Sequence, residues 1–169
     1  MNPTARLLRG NSGDTGSRLV LTRTFRAPID DVWASLTEPE RTARWFGPWK
    51  GQAGTGNTIQ VQMVHEDQTP WMDMHIDACE PPRRLACSST DDHGVWRLEA
   101  LLTESDGTTT LEFVQHLQGE ENLGEIGPGW EYYLDMLVAS RDGSPSPGFD
   151  DYFPAMKAYF EGLSAGPER

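Results

Sequence analysis

The chain has 169 residues, and 26 acidic against 14 basic side chains leave it with a formal net charge of -12. A chain of this length is expected to form one domain that buries roughly two-thirds of its unfolded surface. Proteins that bind nucleic acids or anionic membranes carry an excess of Lys and Arg, so the acidic charge argues against both partners. No apolar run is long enough for insertion into a bilayer.

The ends of the chain differ in composition from its middle. Residues 1–17 contain many small polar residues and no apolar core, which predicts a flexible leader rather than a signal peptide. One folded domain over 18–143 is expected, followed by a linker and a docked tail over 144–169. Cys79 and Cys87 are the only cysteines, which favours reduced thiols in a cytoplasmic protein, although a disulfide between their neighbouring strands stays open.

The first predicted elements are a strand and two short helices. The strand ends at Phe25, and Arg23 shares the parity of its apolar residues. A helix follows with Pro28 at its first position, where a proline loses no hydrogen bond. Its apolar face, at helical spacing, consists of Ile29, Val32, Trp33 and Leu36. Thr37 and Glu40 are spaced as a capping box that ends this helix and starts the next.

Alternating residues predict further strands of an antiparallel sheet with one apolar and one solvated face. Pro81-Pro82 ends one strand, and Asp106-Gly107 predicts a hairpin turn. The residues expected on the apolar face are Ile59, Val61, Met63, His65, Met72, Met74, Ile76, Ala78, Trp96, Leu98, Ala100, Leu102, Leu111, Phe113, Gln115 and Leu117. Asp73, His75 and Asp77 alternate on the opposite face without a convergent ligand, so a solvated surface is favoured over a metal site.

A long amphipathic helix is predicted to begin near Pro128 and to end at Gly143. Its apolar stripe consists of Trp130, Tyr133, Leu134, Leu137 and Val138. Beyond the linker, large apolar residues predict that the tail docks on the domain; they are Phe149, Tyr152, Phe153, Met156 and Phe160. The helix is the element expected to cover the apolar face of the sheet.

Five short segments carry a resemblance to a known family. They are Ala27-Pro28, Val32-Trp33, Trp45-Phe46-Gly47-Pro48, Glu80-Pro81-Pro82-Arg83-Arg84-Leu85 and Gly127-Pro128-Gly129-Trp130. In this order they resemble START-like (SRPBCC) proteins, which include the birch pollen allergen and polyketide cyclases, and within them the branch named after the activator of the heat-shock protein 90 ATPase. The resemblance implies an α+β helix-grip fold, in which a curved antiparallel sheet wraps around a C-terminal helix and leaves a cavity between them.

The apolar face and the helix could enclose either a filled core or a pocket for a hydrophobic or aromatic, lipid- or polyketide-like molecule. The pattern alone favours the filled core, whereas the resemblance implies the pocket, with a volume on the order of 300–1,000 Å³. The candidate ligand-binding residues are Trp45, Phe46, Met63, His65, Met72, Met74, Trp96, Leu98, Phe113, Gln115, Trp130, Tyr133, Leu134 and Leu137.

The polar members of this set are the candidates for chemistry. His65 and Gln115 could each present a hydrogen-bonding group to a ligand, and His65 or Tyr133 could move a proton. An ordinary structural role is favoured for His65 and Tyr133. The sequence contains no nucleophile elbow, no metalloprotease histidine pair and no phosphate-binding glycine loop before a helix, so no cofactor or metal is expected.

Three functions stay open at this point. The first is a module that binds a hydrophobic small molecule, and it requires only a cavity. The second is an enzyme similar to the cyclases and aromatases of the superfamily. The third is a chaperone-regulating interaction domain, which in the namesake depends on an additional N-terminal domain. The expected assembly is a monomer or a homodimer.

Overall fold

The computed structural model describes residues 3–9, 16–66, 68–91, 94–118 and 121–165. The strands in these ranges are β1 (Arg6–Arg9), β2 (Ser17–Phe25), β3 (Trp49–Lys50), β4 (Thr58–Gln62), β5 (Trp71–Glu80), β6 (Arg84–Asp91), β7 (Gly94–Ser105) and β8 (Thr108–Leu117). The helices are α1 (Ile29–Thr37), α2 (Pro39–Thr42), α3 (Leu123–Asp142) and α4 (Lys157–Ala165). The described strands form one 8-stranded antiparallel sheet in the spatial order β1-β2-β8-β7-β6-β5-β4-β3.

The sheet wraps around α3, and the predicted α+β helix-grip fold is confirmed. Trp130 and Leu137 of α3 share one hydrophobic core with Leu21 of β2 and Leu111 of β8. Gly143 ends the helix at its C-cap, as predicted, and donates its N–H to the carbonyl of Ala139. The amphipathic helix therefore covers the apolar face of the sheet.

Residues 28–48, the α1–α2 segment, differ from the prediction in the capping of their helices. Pro28 stands one position before α1, as its N-cap. The capping box of Thr37 and Glu40 is wrong, because the Thr37 hydroxyl donates to the carbonyl of Trp33 inside α1 at 2.8 Å. Glu38 is the N-cap of α2 and makes no side-chain capping bond. The proline that follows it begins the second helix instead.

The predicted apolar face of β4 extends too far. The strand ends at Gln62, and the chain then turns, with the Glu66 N–H donating to the Met63 carbonyl at 3.1 Å. Met63 and His65 consequently lie in the loop to β5 rather than on a sheet face. Met63 still packs at the edge of the sheet, whereas His65 is exposed.

A β-bulge corrects the prediction for the end of β5. The register with β6 shifts between Ile76 and Ala78, because one extra residue is accommodated there. Cys79, which pairs with Leu85, therefore takes the inward position that alternation assigns to Ala78. Both cysteines are free thiols, and Cys87 on β6 is buried.

Helix α3 begins at Leu123, five residues before the predicted start, so Pro128 lies inside it. The first turns of α3 contain glycines and therefore show no apolar face in the sequence. At these glycines α4 packs directly against the backbone of α3. A Cβ on Gly127 would lie 2.1 Å from the Phe160 ring. Helix periodicity cannot be read from residues without side chains, which explains the late predicted start.

Part of the predicted leader belongs to the fold. Residues 6–9 form β1, which pairs with β2, and Ala5 is fully buried. The Ala5 N–H donates to the buried carboxylate of Glu131 at 2.9 Å. A flexible leader is therefore wrong for residues 3–9, while 1–2 and 10–15 lie outside the described residues. At the other end, Tyr152 is fully buried in the main core.

Candidate functional site

A cavity of about 190 Å³ lies between the sheet, α3 and the α1–α2 segment. Its lining consists of Trp33, Leu36, Thr37, Thr42, Trp45, Phe46, Gly47, Trp49, Ala53, Ile59, Val61, Met74, Ile76, Cys79, Leu85, Cys87, Leu98, Glu99, Ala100, Leu111, Phe113, Trp130, Tyr133 and Leu134. The volume is below the expected range of roughly 300–1,000 Å³, but an apolar cavity of about 150 Å³ already accommodates benzene. The interior is therefore not a completely filled core.

Aromatic rings form much of the lining. The Phe113 ring lies 4.6 Å from the Trp130 ring, and the Phe46 ring lies 5.1 Å from that of Tyr133 in an edge-to-face arrangement. Strands β5 and β6 contribute sulfur-bearing side chains, including that of Met74. Aromatic faces and polarizable sulfur suit a flat apolar guest.

The indole N–H groups of Trp45 and Trp49 donate to backbone carbonyls of α1. The Trp45 indole donates its N–H to the Ser35 carbonyl at 2.9 Å, and the Trp49 indole donates to the Thr37 carbonyl at 3.0 Å. Gly47 lets the connecting backbone approach β4, because a Cβ there would lie 1.8 Å from the Gln62 carbonyl oxygen. These contacts hold the rings with their apolar surfaces toward the cavity.

Tyr133 lines the cavity, and its hydroxyl is bonded to a residue outside the lining. The hydroxyl donates to Glu66 in the β4–β5 loop at 2.7 Å. Burial, together with the hydrogen bond and charge of Glu66, raises the pKa of Tyr133 far above its usual value. The residue is therefore a neutral hydrogen-bond donor and a poor base near neutral pH.

His65 does not reach the cavity. Its ring packs at 6.0 Å from the Tyr133 ring and 6.1 Å from the Tyr132 ring, and His65 is not among the lining residues. Partial burial against these rings lowers the pKa of His65, although the charge of Glu66 opposes the change. The imidazole thus packs the β4–β5 loop against α3 and is not positioned as a base beside a bound ligand.

Several predicted ligand-binding residues line the cavity, namely Trp45, Phe46, Met74, Leu98, Phe113, Trp130, Tyr133 and Leu134. The others, Met63, His65, Met72, Trp96, Gln115 and Leu137, lie outside the lining. Gln115 and Leu137 are fully buried behind it, and the Trp96 ring packs 6.2 Å from that of Trp130. Alternation identifies the inward face but not which inward residues border a void.

Part of the cavity lining lies outside the predicted set of ligand-binding residues. Trp33 and Leu36 were predicted only as the apolar face of α1, and Trp49 and Cys87 were not predicted to face the site. Trp49 follows the Trp45-Phe46-Gly47-Pro48 segment directly, so its position beside two other aromatics was the available signal. Cys87 required the register of β6 against β5, which is a long-range property.

A separate polar cleft of about 130 Å³ lies at the end of α3, lined by Asp31, Ser35, Arg41, Arg44, Ser140 and Arg141. Asp31 accepts from Arg141 at 2.6 Å and from Arg41 at 3.2 Å, and the Arg141 bond is the main reason that the pKa of Asp31 is lowered. Arg141 also donates to the Ser35 hydroxyl at 2.8 Å. The arrangement ties α1 to the end of α3.

Asp73, His75 and Asp77 lie on the exposed face of β5, where alternation placed them. Across the described ranges, no three His, Cys, Asp or Glu side chains are grouped as metal ligands. Within the same ranges, no helix combines the length and apolar character needed to cross a membrane.

Comparison with known proteins agrees with the fold. A family model described as Activator of Hsp90 ATPase homolog 1-like protein matches residues 26–140. The crystal structure of CalU16 from Micromonospora echinospora is 28% identical, covers 98% of this chain and 100% of its own, and has a TM-score of 0.81. No curated protein matches the sequence significantly.

Two further solved structures are similar. DynU16, described as a protein in the dynemicin biosynthetic locus, is 25% identical over 78% of this chain with a TM-score of 0.67, and the match spans 50% of DynU16. The protein encoded by BPP1335 from Bordetella parapertussis is 19% identical, covers 95% of this chain and 94% of its own, and has a TM-score of 0.72. At that identity the last comparison supports the fold alone.

Proposed function

Because the chain belongs to the family of Activator of Hsp90 ATPase homolog 1-like proteins, a branch of the START-like (SRPBCC) superfamily, we propose that it binds a small hydrophobic molecule between the sheet and α3. The observation that carries this proposal is the cavity of about 190 Å³ lined by aromatic and sulfur-bearing side chains. Apolar surface that stays open inside a domain is stabilised when a guest of matching shape fills it.

The ligand is uncharged. Glu99 is the acidic residue among the described lining residues, and its carboxylate accepts from Arg84 at 2.6 Å and lies 2.9 Å from the His116 ring nitrogen. Leu98 and Ala100 on either side of it face the cavity, so the Glu99 side chain points to the outer face of the sheet. Burial, first of all, raises the pKa of the Cys87 thiol to about 12, which keeps that group neutral. A charged guest would lose its hydration without gaining a partner.

The volume also limits the ligand. A cavity of about 190 Å³ fits a guest of one or two rings without rearrangement. A long acyl chain or a polyketide-like ring system requires the cavity to widen. The α1–α2 segment is the element that would move, because it borders the cavity with Trp45 and Phe46 and meets α3 through the contact between the Phe46 and Tyr133 rings.

A cyclase- or aromatase-like enzyme is the second candidate, and it is favoured by the presence of Tyr133, a residue with a hydroxyl, among the lining residues and by the position of DynU16 in a biosynthetic locus. Binding is preferred because Tyr133 stays protonated and His65 lies outside the lining. The enzyme would convert a linear poly-β-ketone into a cyclised aromatic product, and that conversion should be abolished in Tyr133→Phe. Absence of product with the unmodified chain would leave only binding.

Titration calorimetry with matched probes tests the binding proposal. Ethylbenzene is expected to bind saturably, whereas phenylacetate and phenethylammonium, of similar shape but charged, should bind at least about a hundredfold more weakly. Equal affinity for the three probes, or no saturable binding of ethylbenzene, would remove the basis of the proposal.

A further inference from the structure

The side-chain amide of Gln115 is buried beside the cavity, and only its oxygen end has a hydrogen-bond partner among the described residues. Gln115 is 0% exposed. Its Oε1 accepts a hydrogen bond from the Trp130 indole at 2.7 Å. Its Nε2, in contrast, has no hydrogen-bond partner among the described residues.

The orientation of this amide follows from the chemistry of its neighbour. An indole N–H can only donate, so the oxygen of the amide must face Trp130. Exchanging the two ends of the amide would set two donors against each other and would not satisfy Nε2. The NH₂ group is therefore the end of Gln115 that still requires an acceptor, and a buried donor without one is costly.

The amide lies next to the cavity through three different contacts. Leu98 of β7 is the direct cross-strand partner of Gln115, and Phe113 precedes it by two residues on the same face of β8. Trp130 is bonded to it from α3. All three of these neighbours line the cavity. Gln115 does not line the cavity, and the Trp130 ring lies between the oxygen end of its amide and the cavity.

We propose that Gln115 Nε2 is the polar anchor of the ligand site and that the natural ligand is a neutral aromatic compound carrying a carbonyl group. The inference rests on the proposed binding function and adds the ligand class. A carbonyl oxygen accepts from the NH₂ group without bringing a donor that itself needs a buried partner. A hydroxyl would bring such a donor, and a carboxylate would bring a charge. The oxygen reaches Nε2 between the side chains of Leu98 and Phe113, which line the cavity beside it, while the Trp130 indole stays bonded to Oε1.

The experiment compares acetophenone with ethylbenzene, which differ mainly by a carbonyl in place of a methylene. Each probe is titrated into the full chain and into Gln115→Met, an apolar side chain of similar length. Acetophenone is expected to bind about three- to tenfold more weakly to Gln115→Met, with ethylbenzene nearly unchanged. The ratio of the two probes' affinities is compared between the proteins, because the difference in hydration between the probes is the same in both titrations and cancels.

An infrared measurement gives an independent result that does not depend on the variant folding. A hydrogen bond lowers the carbonyl stretching frequency, so acetophenone bound to the unmodified chain should absorb below its frequency in an alkane. In Gln115→Met that shift should be lost. An alkane-like frequency in the unmodified chain, or the same probe ratio in both proteins, overturns the anchor while leaving the binding function standing. Binding of neither probe overturns both.

Discussion

The hydroxyl of Tyr133 on α3 donates a 2.7 Å hydrogen bond to the carboxylate of Glu66, which joins the long helix to the β4–β5 loop beside the cavity. The bond connects α3, which lines one side of the cavity, to the loop between β4 and β5. His65 packs on the same tyrosine from the loop side. Helix and loop are thus held together by this hydrogen bond and by the packing of the His65 ring on Tyr132 and Tyr133.

Tyr133→Phe should remove this bond and leave the apolar wall intact. We expect the free energy of unfolding in urea to fall by about 1 kcal/mol, and the affinity for ethylbenzene to change by less than about threefold. Tyr152→Phe is the matched control, because its hydroxyl donates to Asp135 at 2.8 Å in the tail interface away from the cavity. The rate of backbone amide hydrogen exchange in the β4–β5 loop should increase in Tyr133→Phe alone. An equal increase in both variants would show that the bond from Tyr133 to Glu66 does not hold the loop.

A second prediction concerns the buried charges between β2 and α3. Arg23 lies 2.9 Å from Glu131, whose side chain is 1% exposed, and 3.0 Å from Asp135. Arg23→Met leaves Glu131 as a buried charge without its cation and should reduce the free energy of unfolding by about 3–5 kcal/mol. The double variant with Arg23→Met and Glu131→Met should lose less free energy of unfolding than the two single variants lose together. Additive losses in urea denaturation would show that the pair is not coupled.

Glu99 predicts part of the acid sensitivity of the domain. Burial raises the pKa of Glu99, but the hydrogen bonds from His116 and Arg84 outweigh it, so the pKa in the folded chain lies below the usual value. The contribution to stability is therefore complete above about pH 4.3, the ordinary value, and is lost as the pH falls through the lower folded value.

Glu99→Gln should accordingly be less stable than the unmodified chain at pH 7, and the difference should shrink as the pH falls below about 4.3. Urea midpoints measured at several pH values check this. Glu40→Gln, at an exposed position of α2, is the control and should give a difference near zero at every pH. A stability difference for Glu99→Gln that is constant with pH would refute the assignment.

The two glycines that flank Pro128 give a prediction about the packing of the tail. A Cβ on Gly127 would lie 2.1 Å from the Phe160 ring, whereas one on Gly129 would meet no atom within 4 Å. Gly127→Ala should therefore cost about 1–3 kcal/mol through overpacking, and Gly129→Ala should gain about 0.5–1 kcal/mol from its better helix propensity. Thermal unfolding of the two variants compares them directly, and similar shifts in both would argue against close contact of α3 with α4.

Much of the fold follows from local patterns. The alternation of Trp96, Leu98 and Ala100 and the helical spacing of Trp130, Tyr133 and Leu137 each report an inward face, and the structure places these residues there. What the patterns miss depends on contacts distant in the chain. Local sequence contains no signal for the bulge in β5 or for the packing of α4 on a glycine-rich stretch of helix.

The candidate site is less predictable for the same reason. Periodicity shows that Gln115 and Leu98 share a face, but only the packing of α3 decides that Leu98 borders a void while Gln115 lies behind Trp130. Likewise, His65 has the right parity for an inward residue, yet the chain turns before reaching it. A cavity is the space that several elements leave between them, so no single segment encodes it.

The last prediction tests whether that space is the binding site. Ala100 lines the cavity from β7, and Ala100→Leu places an isopropyl group into a volume of about 190 Å³. Affinity for ethylbenzene should fall at least about tenfold, which corresponds to about 1.4 kcal/mol. Ala78→Leu adds the same group at a position that the bulge turns away from the cavity, so its affinity should stay within about twofold. Because Leu at position 100 fills empty apolar space, the fold should tolerate it, and calorimetric titration of both folded variants decides the matter. Equal affinities would place the bound probe somewhere other than between the sheet and α3.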